Sequence, residues 1–293
     1  MTTSVSWDEL QNRSDEFLAS GITALRYQPV QSYRSIESDK AGNYLISLDG
    51  LPVYVGEAIS LRARTRQQFA ARTSTFYKTY LKLTATCENL SPVSIETFTI
   101  QAMETCIGRK EIEDFGIVNI PTRLNRFQLD KRNVAPPSSS TALWELAQAN
   151  SAKLIQEGAT RALASQFTRW SDATLPEGPG LYLVKDPDGR LIYVGESSSI
   201  AERLITHHTQ TYFSALRRHI GVFILNYDLK ERNGKKKYFD VDEDQQVTSF
   251  VSACSVATMP VHLGRYEVEE FLIKDCQPLL NRKGNLNKLS VGA

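Results

Sequence analysis

Between Gly180 and His207 the apolar positions first alternate and then recur at helical spacing. Tyr182 and Val184 alternate with Leu181 and Leu183, as on the two faces of a strand. Asp188-Gly189 falls between two apolar runs and predicts a hairpin turn. Ile192-Tyr193-Val194 returns as the partner strand, and Gly195 breaks it. The serines at 197–199 offer an N-cap to a helix carrying Ile200, Arg203, Leu204 and His207.

The same pattern occurs earlier in the chain. Gly42-Asn43-Tyr44 and Tyr54-Val55-Gly56-Glu57 precede Arg64, ten residues after Tyr54; Arg203 lies ten after Tyr193, and Glu196 matches Glu57. Downstream, the segment from Gly108 to Ile117 aligns with that from Gly264 to Ile273, and both reach an asparagine, Asn125 or Asn281, twelve residues after Glu113 or Glu269. Upstream, Ser6 caps an expected helix with Leu10, Phe17 and Leu18 on one side, ending near Gly21. Trp144-Glu145 opens a matching one with Leu154 and Ile155, ending near Gly158; Trp7 and Trp144 are 137 residues apart. The expected organisation is a first domain over 1–135, a Pro/Ser linker at 136–141 and a second domain over 142–293.

The second copy carries about 17 extra residues between its arginine and its glutamate, near Asp228–Gln246. Asn233-Gly234 within KERNGKKKY predicts an extended charged hairpin. It reads equally as a solvated loop or as a DNA-contacting arm; its acidic second half speaks against a simple phosphate-binding patch.

Composition adds limits. The net charge is +1, so any nucleic-acid surface is local. The four cysteines are widely spaced with no C-x-x-C pair, which predicts reduced thiols and no zinc site. No secretory leader and no apolar run approaching ~20 residues is present, so a soluble, cytoplasmic protein without a membrane partner is expected.

Gly180-Leu181-Tyr182, Tyr193-Val194-Gly195, Arg203, the Glu269 helix and Pro278-Leu279-Leu280-Asn281 stand in an order that resembles the GIY-YIG endonucleases. The resemblance implies an α/β fold: two tandem GIY-YIG-like domains, each a small mixed or antiparallel sheet flanked by helices and preceded by an N-terminal helix. It also implies that Tyr182 or Tyr193 serves as general base or positions the water, that Arg203 stabilises the phosphate, that Glu269 binds one divalent metal, and that Asn281 supports the site. By the same transfer the first copy offers Tyr44, Tyr54, Arg64, Glu113 as metal ligand and Asn125. His207, one turn beyond Arg203, is a candidate proton carrier or phosphate contact.

The chemistry suits these residue types. A phenol, with a pKa near ~10, is a poor base unless a cation lowers that value. An arginine meets phosphate bidentately. A single carboxylate suits Mg²⁺, or Mn²⁺, which keeps waters and phosphate oxygens as its other ligands. Glu111 and Glu267 sit two residues before the proposed ligands and are expected to be solvated. Asn43 places a polar group in a strand expected to be buried. Gln68 takes the place of His207. Glu57 and Glu196 would repel a phosphate unless they help hold metal. Arg62 and Arg66 flank Arg64 as possible backbone contacts or as a solvated helix face.

The resulting expectation is a metal-dependent endonuclease acting on duplex DNA, of restriction or phage-defence type, with two sites in one chain for the two strands. The alternatives are a nickase or repair nuclease with only the second copy active, and an inert nucleic-acid-binding protein.

Overall fold

A computed structural model describes residues 4–86, 91–125 and 140–281. The chain divides into two compact units, Met1–Leu154 and Ile155–Ala293.

The first unit opens with α1 (Trp7–Asn12) and α2 (Ser14–Arg26), the former capped by Ser6 as expected. Two helices replace the single one expected, and α2 runs through Gly21 instead of ending there. A Cβ on Gly21 would lie 2.5–2.8 Å from Ile112 and the Trp144 indole. The glycine is a close-approach site, not a helix terminator.

Next come β1 (Gly42–Leu48), β2 (Leu51–Ala58), α3 (Leu61–Gln68), α4 (Thr75–Thr84), β3 (Thr99–Glu104) and α5 (Arg109–Asn119). The three strands are antiparallel in the order β2-β1-β3. Tyr44, Ile46, Phe69, Phe76, Phe98 and Ile100 fill the core on one side of the sheet.

Helix α6 (Ala142–Ala149), expected to open the second domain, belongs to the first unit. The Trp144 backbone N–H donates to Ser20 Oγ at 3.0 Å, and Gln148 bonds to the backbone of Cys106 and Ile107. The division therefore falls within α7 (Ser151–Ala164), which continues past Gly158. Of the expected Pro/Ser linker, residues 136–139 lie outside the described residues.

The second unit continues with β4 (Thr168–Arg169), β5 (Gly180–Lys185), β6 (Leu191–Ser197), α8 (Ile200–Thr209) and α9 (Ala215–Phe223). Then follow β7 (Lys230–Arg232), β8 (Lys235–Tyr238), α10 (Val241–Ala253), β9 (Ser255–Pro260) and α11 (Arg265–Cys276). Its main sheet has the order β4-β9-β5-β6, antiparallel throughout. The run β6-β5-β9 repeats the order β2-β1-β3 of the first unit.

Strands β7 and β8 form the expected hairpin, with Asn233 and Gly234 both at positive φ, the geometry of a two-residue turn. The acidic half of the insertion is the start of α10: Asp240 and Glu243 form a capping box and both pair with Lys230. Cys106, Cys254 and Cys276 are free thiols. Among the described residues no helix is long and apolar enough to cross a membrane.

Candidate active site

The β5–β6 hairpin places Tyr182 directly across from Gly195. A Cβ on Gly195 would lie 2.3 Å from the Tyr182 phenol, so the glycine is the space the ring occupies. The Tyr182 and Tyr193 rings stack with centroids 6.1 Å apart and an interplanar angle of 21°. Tyr182 is fully buried beneath, while Tyr193 forms part of a cavity wall. Burial raises both phenol pKa values, more strongly for Tyr182, and the charge of Arg203 opposes the rise.

Helix α8 is capped by Ser199, as the serine run predicted, and presents Arg203 and His207 to the tyrosines. The Arg203 guanidinium is near enough for its charge to act on both Tyr182 and Tyr193. The Tyr182 hydroxyl lies 2.7 Å from His207 Nε2, and His207 Nδ1 lies 2.7 Å from Ser214 Oγ, the N-cap of α9. His207 is thus wholly buried in a hydrogen-bonded chain. Burial, reinforced by Arg203, Arg217 and Arg218, lowers its pKa from 6.5 to about 3. Both ring nitrogens are engaged, one by the Tyr182 hydroxyl and the other by Ser214.

A native pKa below the unfolded value means that His207 favours folding fully above pH 6.5, and this contribution is lost as pH falls from 6.5 toward about 3. Over that window it should cost up to about 1.4 kcal/mol per pH unit. His207→Gln is expected to flatten this acid limb. Urea unfolding followed from about pH 5 to 7.5 measures it, and parallel curves for the two proteins would refute the assignment. Glutamine suits the position: in the first unit Gln68 Nε2 donates to the Tyr44 hydroxyl at 3.2 Å.

Glu269, on α11, accepts a hydrogen bond from the Glu196 N–H at 3.2 Å, which fixes it against β6. It lines a cavity of about 590 Å³ with Tyr193, His219, Tyr266 and Asn281. Asn281 does not reach toward solvent. Its amide accepts from the Val194 N–H and donates to the Val194 carbonyl, both at 2.8 Å, so it clamps β6. His219 Nδ1 lies 2.8 Å from the Leu280 carbonyl, which fixes Nδ1–H as the donor.

The Glu196 carboxylate pairs with Arg265 at 2.8 Å, which offsets its charge. Glu111 and Glu267 are both buried, contrary to expectation. They occupy the first turns of α5 and α11, where a carboxylate meets the positive end of the helix, behind glycine N-caps that bring no side chain of their own.

The first unit repeats much of this geometry. Tyr44 faces Gly56 across the hairpin and stacks with Tyr54 at 6.2 Å. Arg64 reaches Tyr44, Glu57 pairs with Arg109 at 2.9 Å, and Asn125 clamps Val55 through bonds of 3.0 and 2.8 Å. Asn43 is buried as expected, and its amide donates to the Arg109 carbonyl at 2.8 Å, tying β1 to α5. Arg62 pairs with Asp39, and Arg66 is exposed.

One position differs decisively: Lys110 Nζ lies 2.5 Å from Glu113 and 3.4 Å from Asp114. The aligned residue in α11 is Tyr266. Burial raises the Glu113 pKa, and the Lys110 ammonium opposes that rise.

The motif pattern did not reveal Arg217, Ser214 or His219. Arg217 is fully buried and bonds to His208, Thr211, Asp244 and Thr248, joining the end of α8 to α10. An arginine beside Ser214 gives no such signal locally. The paired Gly-Arg starts of α5 and α11 did carry one, for Arg109 and Arg265.

Residues 180–292 match a family model described as the GIY-YIG catalytic domain; a second, tandem copy is not part of that match. No curated protein matches the chain. The domain points to a nuclease with a nucleic-acid substrate.

Proposed function

We propose, from the nuclease domain at residues 180–292, that the chain is a divalent-metal-dependent endonuclease hydrolysing DNA phosphodiester bonds, with its working site in the second unit. The observation that carries this reading is the cavity in which Tyr193 and a backbone-anchored Glu269 share one wall. Glu269 fits Mg²⁺ or Mn²⁺, because one carboxylate at an open cavity leaves coordination positions for waters and phosphate oxygens. Such an ion, when bound, lowers the pKa of a coordinated water and offsets phosphoryl charge.

The protein's own groups divide the remaining work. Both phenols have raised pKa values, so near neutral pH they are donors and not bases. Tyr193 orients the attacking water, and Tyr182, held by His207 and Arg203, fixes the plane on which Tyr193 stacks. Arg203 supplies N–H donors to the phosphoryl oxygens, whose charge grows in the transition state.

The common strand order, the stacked tyrosine pairs and the asparagine clamps support reading the units as tandem copies of one domain. The first copy does not fit a metal, because the Lys110 ammonium already stands against Glu113. This favours one cutting site with the first unit as a nucleic-acid grip, a nicking enzyme. It weighs against a restriction or phage-defence nuclease that severs both strands from one chain.

Supercoiled plasmid with Mg²⁺ or Mn²⁺ tests the proposal. Nicked circle is expected to accumulate ahead of linear DNA, and Glu113→Gln is expected to leave the rate within about twofold of wild type. Linear product that turns to nicked circle in Glu113→Gln would mean the first unit cuts a strand. Plasmid left intact with either ion would overturn the enzyme reading for duplex DNA.

A further inference from the structure

The charged hairpin and the turn that follows α8 enclose a second cavity, of about 400 Å³, between Phe213, Tyr238 and Arg232. Its walls are aromatic. Tyr212 meets Tyr238 at 5.4 Å between centroids and Phe213 at 4.7 Å, and Phe213 is 62% exposed. Its rim is cationic. Lys235 donates to the Tyr212 hydroxyl at 2.7 Å, and Lys235 and Lys237 stand over the Tyr212 ring at 5.4 and 5.1 Å. Arg232 stands over Tyr238 at 5.6 Å. The one acidic lining residue, Asp244, is paired with buried Arg217 at 3.0 Å, so its charge is offset.

This groove is tied to the proposed catalytic centre. Arg218, on α9, donates to the carbonyls of Thr211 and Tyr212 at 2.9 and 2.6 Å, and its charge acts on Tyr193 and Arg203. Cationic side chains thus run from Arg203 through Arg218 to the hairpin lysines. Aromatic faces beside cations suit one kind of ligand above others: a flat, unstacked base on an anionic backbone. A fully paired duplex offers its phosphates but no open base face.

We propose that the Tyr212–Phe213 turn and the β7–β8 hairpin form a binding groove for an unpaired nucleotide of the substrate, stacking one base on Phe213 and Tyr238 while Arg232, Lys235 and Lys237 hold the adjoining phosphates. This rests on the nuclease reading of the neighbouring site. It gives that site a preference for strands with an unpaired or displaced base.

Full-length protein in EDTA, titrated into a fluorescent single-stranded oligonucleotide and into its duplex, tests the groove by anisotropy. Phe213→Ala is expected to weaken single-strand binding roughly ten- to hundredfold and duplex binding much less. Phe213→Trp is expected to restore it. The pair Lys235→Gln and Lys237→Gln is expected to flatten the salt dependence by roughly 1.4 units of log–log slope, about 0.7 per lost phosphate contact on single strands. Phe213 is exposed, so an unchanged unfolding temperature is expected and separates lost stacking from lost fold.

Single-strand binding within twofold of wild type in Phe213→Ala, or equal weakening toward both ligands, overturns the groove. If plasmid is cut while Phe213→Ala binds normally, the groove falls and the nuclease reading stands. If the groove binds as expected but plasmid is never cut, the nuclease reading falls and the groove stands.

Discussion

Glu269→Gln should reduce DNA cleavage by about a thousandfold or more while leaving the fold intact. Glutamine keeps the oxygen that accepts the Glu196 N–H, so the side chain stays against β6. What it removes is the negative charge, and a neutral amide is a weak ligand for a hard divalent cation. Loss of activity with an unchanged unfolding curve therefore isolates the carboxylate's charge from its structural bond. Cleavage within about tenfold of wild type would remove Glu269 from the site. Titrating Mn²⁺ against the variant adds a second reading, because a weakened ligand raises the ion concentration needed for half-maximal rate.

The largest stability effect is expected at Asn281. Asn281→Ala strips the hydrogen-bond partner from both the N–H and the carbonyl of Val194, a residue that is completely buried. Each buried backbone group left unpaired costs about 1–3 kcal/mol, so the variant should lose about 2–6 kcal/mol. For a unit of this size that lowers the unfolding temperature by roughly 10 °C. Val194 lies between Tyr193 and Gly195, so cleavage should fall with it even below the melting temperature. Asn125→Ala removes the same clamp from Val55 in the first unit and should destabilise without the same loss of cutting. If Asn281→Ala melts with wild type, the clamp carries no load.

Much of the fold was legible in local pattern. Alternation at Leu181–Val184, the Asn233-Gly234 turn and the Ser199 cap each depend on residues a few positions apart, and each took the expected form. The parallel spacing of the two halves placed Tyr44 with Tyr54, and Tyr182 with Tyr193, in matching positions, and each pair stacks in the fold. What the sequence hid depends on partners distant in the chain or on how space is filled. Gly21 reads as a helix end until Trp144 is seen against it. Glu111 and Glu267 read as solvated until their burial is seen. Arg265 pairs with Glu196 across 69 residues; the repeated Gly-Arg start marks the arginine but not its partner. Lys110 lies three residues from Glu113, a spacing that ordinarily marks a surface ion pair on a helix, so its meaning emerged only once the partly buried pair was in view.

The seating of Trp144 on Gly21 also governs how the chain can be dissected. The indole is almost fully enclosed by residues of the first unit. A fragment severed in the proline-serine stretch would leave α2 facing a void of tryptophan size, a loss of about 3–5 kcal/mol. The same cut would leave the C-terminal fragment with a helix carrying an exposed tryptophan, an invitation to aggregate. Proteolytic nicking between residues 126 and 139 should therefore leave the two pieces associated, with α6 as the tether. The second unit is better studied as a fragment that begins after α6.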